Sequence, residues 1–267
     1  MNGIRIRHRG RAPQVHPSAY VAPTATLVGD VRVGPRARVM YGAVLTAEGA
    51  FVEVGEATVV CENAVLRASA TAGAQPVVLG DHVFVGPHAT LLGCRAERCA
   101  YLATGATVLQ EARLGAGAVV AVGALVHARA RVPAEFFVPP HTLAVGDPVR
   151  LLAPGDPAVP EAIAGVGFAR TAFGVDAEWT DRIRRYERIA EVRVAEFGAH
   201  AGDGADEDAD FGAHAEGGGD GNAASGAYAD EVVGADPDDV EGSGTPAHKR
   251  PRAQWRRGVV EGRQAER

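Results

Sequence analysis

The chain has 267 residues, of which 46% are hydrophobic but only 6% aromatic, with 34 glycines and 16 prolines. Its apolar content is therefore small and aliphatic, suited to short repeated turns rather than a bulky mixed core. No run approaches the ~20 apolar residues of a membrane span, and the basic start IRIRHRGR leads into no secretory-type apolar segment, so a cytoplasmic protein without a membrane partner is expected. The net charge of −6 is concentrated in residues 198–267, with 15 acidic and 7 basic residues; the nearly neutral remainder gives no electrostatic case for a nucleic-acid partner.

Residues 1–14 read as an N-terminal strand or cap, in which Arg5, Arg7 and Arg9 alternate with Ile4, Ile6 and His8. From Val15 a period of six begins: Val15, Val21, Leu27, Val33, Val39 and Leu45, then Val54, Val60 and Leu66, then Leu79, Val85 and Leu91. A last run holds Ala96, Leu102, Val108, Leu114, Val120 and Val126, so all but one of these positions are Val or Leu. The fourth residue after each is equally restricted, and thirteen are Ala, among them Ala19, Ala64 and Ala118. Arg95 is the misfit, at a place where the step shortens to five and the side chain can turn outward.

A period of six fits neither an α-helix nor a simple two-residue strand alternation. It fits a short strand plus a corner, repeated three times per triangular coil, which predicts a left-handed parallel β-helix over residues 15–152. The aliphatic residue fills the prism, the small residue lets the backbone turn, and Gly or Asn near the corners supplies backbone freedom. Two interruptions, Leu45 to Val54 and Leu66 to Leu79, read as loops at prism corners, where a regular solenoid carries its specific chemistry. Cys61, Cys94 and Cys99 are an odd number without metal-type pairing and read as reduced thiols.

VPPHTLAVGDPVRLL, residues 138–152, resembles the terminating coil of hexapeptide proteins, and residues 153–175 read as a Pro/Gly-rich linker. Residues 176–197 predict an α-helix whose Trp179, Ile183, Tyr186, Ile189, Ala190 and Val194 share one side and would pack on the prism. The remainder, 198–267, reads as a disordered acidic tail with a basic end. The fold class is thus an all-β solenoid followed by a C-terminal helix and a tail.

The segments VMYGAVLTAEG, CENAVLRAS, VVLGDHVFVGPHATLLGC and YLATGATVLQEARLGAGAVVAVGALV strongly resemble the γ-class carbonic anhydrase family, and the similarity covers roughly residues 15–195. The resemblance implies a homotrimer with a site in each cleft between neighbouring prisms, where three histidines hold zinc. Carried over residue by residue, those histidines fall on Arg67, Pro87 and Leu92, none of which can ligate a cation. His88 lies next to the second position but in no ligand register, because the segment from Gly86 to Gly93 keeps the family's length. The family's Arg and Asp are Thr46 and Glu48 here, its Gln is Cys61, and only Glu62 and Asn63 keep their character.

The resemblance therefore implies a prism whose metal site has been replaced, with no metal, no resident cofactor and no assigned catalytic residue. Arg67 places a fixed cation where relatives hold zinc, and it can pair with Glu48 or Glu62 or hold a carboxylate or bicarbonate, with Asn63 and His88 nearby. The expected role is a non-catalytic scaffold or small-anion-binding protein. Two alternatives stand beside it: a hexapeptide acyltransferase taking acyl-coenzyme A with His127 or His141 as general base, and a working carbonic anhydrase with an unrecognised zinc site.

Overall fold

A computed structural model describes residues 3–176 and 180–198. Short strands, most of two or three residues, alternate with tight turns and stack in parallel register into three sheets of nine, seven and seven strands, the sides of a triangular prism. Successive strands of one sheet come from successive coils, so each coil hydrogen-bonds only to its neighbours. Seventeen of the eighteen period-six positions are buried, and Val15 on the first coil is half-buried. Leu27, Leu45, Leu66, Leu79, Leu91, Leu102 and Leu114 are among the largest fully enclosed side chains. Each contributes about 1.5–3 kcal/mol of transfer free energy, which explains why the period tolerates so few exceptions. Arg95 is exposed, as the slip in register requires.

The corners are tighter than the sequence suggests. Besides Gly105 and Asn63, the left-handed corner conformation is taken by Ala57, His88, Cys99, Glu111 and His141. Each such residue tolerates a local cost of about 1–2 kcal/mol because stacking on both sides fixes the turn.

Both interruptions of the period build something. They coincide with the two longest strands, Val44–Glu48 and Val65–Ser69, which pair over five residues from Val44↔Val65 to Glu48↔Ser69. After the second strand the chain turns back in a hairpin closed by backbone hydrogen bonds between Ser69 and Gln75.

At the first coil, Ile4–Ile6 pairs with Thr26–Val28 and leaves Ile4 and Ile6 exposed, while His8 beyond it is buried. At the last, Arg150–Leu152 pairs antiparallel to Leu143–Val145 and ends the stack. The segment expected as a linker carries two short helices, α1 (Val159–Val166) and α2 (Phe168–Phe173), with Gly167 at φ 63° between them. Helix α3 spans Arg182–Gly198.

Helix α3 corrects the expected packing face. Ile183 is 76% exposed, Tyr186 59% and Val194 72%, whereas Arg185 and Glu196 are buried. The helix turns charge toward the prism because the surface that receives its end is polar, formed by Arg9, Arg67 and Ser69. Trp179 and the acidic tail with its basic end lie outside the described residues. Among the described residues no helix is long and apolar enough to cross a membrane.

Candidate functional site

The two long strands carry Glu48, Arg67 and Ser69 beyond the regular prism edge. In register, Arg67 stands directly beside Thr46 on one side and Leu92 on the other, and Ser69 beside Glu48. Over them lies the end of α3. Ser69 Oγ donates to Glu196 Oε1 at 2.7 Å, and Arg193 Nη1 donates to Glu196 Oε2 at 2.6 Å. Arg67 Nη2 lies 3.6 Å from the same Oε2, within ion-pair range but beyond a hydrogen bond. Arg9 Nη2 donates to the Glu196 backbone oxygen at 3.2 Å. The Phe197 ring sits under two guanidinium groups, 4.4 Å from that of Arg67 and 4.6 Å from that of Arg193, a cation–π arrangement.

Cations outnumber the carboxylate at the centre of this cluster. Burial holds the Arg67 guanidinium below its ordinary pKa, and the nearby Arg193 charge adds to that effect against the opposing pull of Glu196 and Glu48. Moreover, Arg67 Nε and Nη2 are buried without a hydrogen-bond partner among the described residues. Those two atoms form one edge of the guanidinium fork, the edge that takes both oxygens of a carboxylate side-on. Buried donors left unpaired cost about 1–3 kcal/mol each, so the edge is primed for an acceptor.

The carboxylate at ion-pair distance from Arg67 is Glu196, with Glu48 adding a longer-range attraction. Glu48 is 3% exposed and engages His8, whose Nε2 lies 3.0 Å from Glu48 Oε2; the ion pair of Arg67 is instead with Glu196. Glu62 is half-buried and makes no ion pair with Arg67, and Asn63 and His88 are exposed corner residues. The His88 backbone N–H donates to the Glu62 carbonyl at 3.0 Å, which places Glu62 and His88 on stacked turns rather than on the sheet with Arg67. Of the three carried-over positions, Arg67 and Leu92 are adjacent on one sheet, and Pro87 sits half-buried at the corner before the Leu92 strand. A cation, an alkyl group and a pyrrolidine ring offer no lone pair to zinc, so this set does not fit the metal.

The acyltransferase candidates are not assembled either. His127 is buried, packs edge-on against Phe168 at 5.6 Å between centroids, and has its pKa lowered by burial. His141 is exposed on a corner. The buried Cys94 thiol is pushed up to about 12 by desolvation and stays protonated near neutral pH. Among the described residues, no group of three or more His, Cys, Asp or Glu is arranged to hold a metal ion.

Ser69, Arg193, Glu196 and Phe197 carry no direct signal in the sequence, while His8 and Arg9 read there only as part of an alternating N-terminal strand. A polar side chain at helical spacing gives no sign of what it faces, although Glu196 three residues after Arg193 was a usable hint of a paired site.

No family model matches the chain. It is 35% identical over 126 residues to Gamma carbonic anhydrase 1, mitochondrial, of Arabidopsis thaliana, covering 46% of each protein. It is 40% identical over 100 residues to Gamma carbonic anhydrase 3, mitochondrial, of the same plant, covering 36% of this chain and 39% of that one. The matches thus span less than half the length of these relatives. Among solved structures, a hexapeptide transferase family protein from Anaplasma phagocytophilum is 23% identical with a TM-score of 0.38, covering 72% of this chain and 98% of that one. The chain is thus a parallel β-solenoid of hexapeptide repeats that is similar, over less than half the length of each protein, to γ carbonic anhydrases.

Proposed function

We propose that this protein binds a small carboxylate or bicarbonate at Arg67, as a homotrimer, and does not hydrate carbon dioxide with zinc. The observation that carries the reading is the buried Nε and Nη2 edge of Arg67, which has no hydrogen-bond partner among the described residues although Glu196 lies at ion-pair distance from Nη2. A guanidinium cannot ligate zinc, and its fixed charge repels a divalent ion, whereas a planar carboxylate or bicarbonate presents two oxygens at the spacing of the fork. Glu196 is held by Ser69 and Arg193, and its Oε2 stays 3.6 Å from Arg67 Nη2, so that edge gains its charge but no hydrogen-bonded acceptor from it.

Support for the trimer comes from the outer face of the nine-stranded sheet. Val44, Val65, Thr90, Thr107 and Leu125 follow one another in a single outward column and remain half-exposed, a strip of aliphatic and threonine side chains suited to a second copy. An acyltransferase reading finds less support, because His127 is covered by Phe168 and His141 stands alone on its turn.

The test is a stopped-flow hydration assay on protein supplied with excess zinc and then desalted, with metal analysis and light scattering on the same sample. Expected are three chain masses, no stoichiometric zinc and no hydration above the buffer rate. Stoichiometric zinc with hydration activity would overturn the reading.

A further inference from the structure

A second basic feature lies on a different side of the prism. In the seven-stranded sheet that starts at Gln14–Val15, the outward residue of each coil forms one column. Its first charges are balanced: Arg32 donates to both oxygens of Asp30, at 2.9 and 2.8 Å, and stands in register with Glu53. The last three coils place Arg95, Arg113 and Arg131 directly in register. Adjacent strands lie about 4.8 Å apart, so three like charges stand at one-strand spacing, an arrangement that destabilises a sheet unless something neutralises it.

Nothing within the described residues does so. Arg95 and Arg113 have no carboxylate at ion-pair distance there, and Arg131 Nη1 is held by the Glu111 backbone oxygen at 2.8 Å. A cavity of about 230 Å³ adjoins the three arginines, and its opposite wall is the hairpin that interrupts the repeat, at Gln75 and Pro76. Gln75 is 2% exposed; its Nε2 donates to the Thr171 oxygen at 2.6 Å, and its Oε1 has no hydrogen-bond partner among the described residues. The carboxylate that shares the cavity, Glu111, is drawn to Gln75 Nε2 at 3.4 Å and Arg129 Nε at 4.0 Å.

We propose that this arginine ladder binds a ligand carrying two or more linked phosphates. Guanidinium forks take phosphate oxygens two at a time, and forks repeated along a line match a linear chain of anionic groups better than a single anion. The enclosed volume is below that of a typical drug-sized pocket, which suits a short phosphate chain and excludes a folded partner. The unpaired Gln75 oxygen can accept from a ligand hydroxyl or a protonated phosphate oxygen. Arg131, held by its backbone contact, supplies a preorganised end to the ladder.

The inference does not depend on Arg67. A thermal-shift titration of the full chain with inorganic tripolyphosphate and with ADP tests it, using wild type, Arg113→Gln, Arg95→Gln and, as a control, Arg36→Gln. Arg36 is an exposed residue already paired with Glu56 at 2.6 Å. Tripolyphosphate should raise the wild-type melting temperature saturably, as must any ligand that prefers the folded state. Its apparent affinity should fall roughly tenfold or more in Arg113→Gln and Arg95→Gln, and stay unchanged in Arg36→Gln. A rise with tripolyphosphate alone assigns an inorganic chain; a rise with both assigns a diphosphate end such as a nucleotide's. No rise in wild type, an equal rise in Arg113→Gln, or the same rise with sodium chloride at matched ionic strength would overturn the proposal.

Discussion

Glu196 joins helix α3 to the prism through Ser69, Arg193 and the charge of Arg67, and it is buried while doing so. Removing its charge leaves Arg67 and Arg193 facing each other across a desolvated space. Glu196→Gln should therefore cost about 1–3 kcal/mol in urea denaturation, well above the few tenths that an exposed ion pair would give. A change within a few tenths would mean that α3 is held by other contacts. His127 makes a pH prediction of opposite origin. Burial lowers its pKa, so the unfolded chain takes up a proton, near the ordinary histidine value of ~6.5, before the folded one does. Stability is then fully kept above that value and lost as pH falls through it. Between about pH 7.5 and about pH 5.5, the melting temperature of wild type should drop more than that of His127→Leu.

At the scale of elements, legibility divides along the line between repeated and single features. The interior of the prism was readable because each inward residue meets copies of itself one coil above and below, so one rule recurs eighteen times and burial enforces it. Leu102, enclosed between Val85 and Val120 on adjacent strands, illustrates the enforcement. Leu102→Ala should cost about 2–5 kcal/mol by denaturant titration, since a stacked solenoid cannot collapse locally around the hole. The orientation of α3 was not readable. Its apolar stripe at Ile183, Tyr186 and Val194 has a helical period, but period alone does not say which face docks, and the polar seam at Arg67 and Ser69 decided the matter. Residues 153–175 hide their helices for a related reason: Pro and Gly there mark the ends of two short helices, which by composition read as a connector. Pro160 lies in the first turn of α1, where its missing N–H is harmless.

For the whole molecule, the sequence singled out Arg67 but not its neighbours. The resemblance pointed to Arg67, Pro87 and Leu92, and the register sets two of them side by side. What it could not give was the partner of Arg67, because Glu196 is 129 positions away and reaches the site only through the docking of α3. The same helix brings negative charge to ion-pair distance of Arg67 while its Nε and Nη2 keep no hydrogen-bonded acceptor among the described residues, which makes Arg67 the anion-binding candidate. The most direct test is a calorimetric titration of bicarbonate into wild type and Arg67→Met at one pH and ionic strength. Saturable binding to wild type that is lost in Arg67→Met is the expected result. No binding to wild type, or equal binding to both, would contradict an anion site at Arg67.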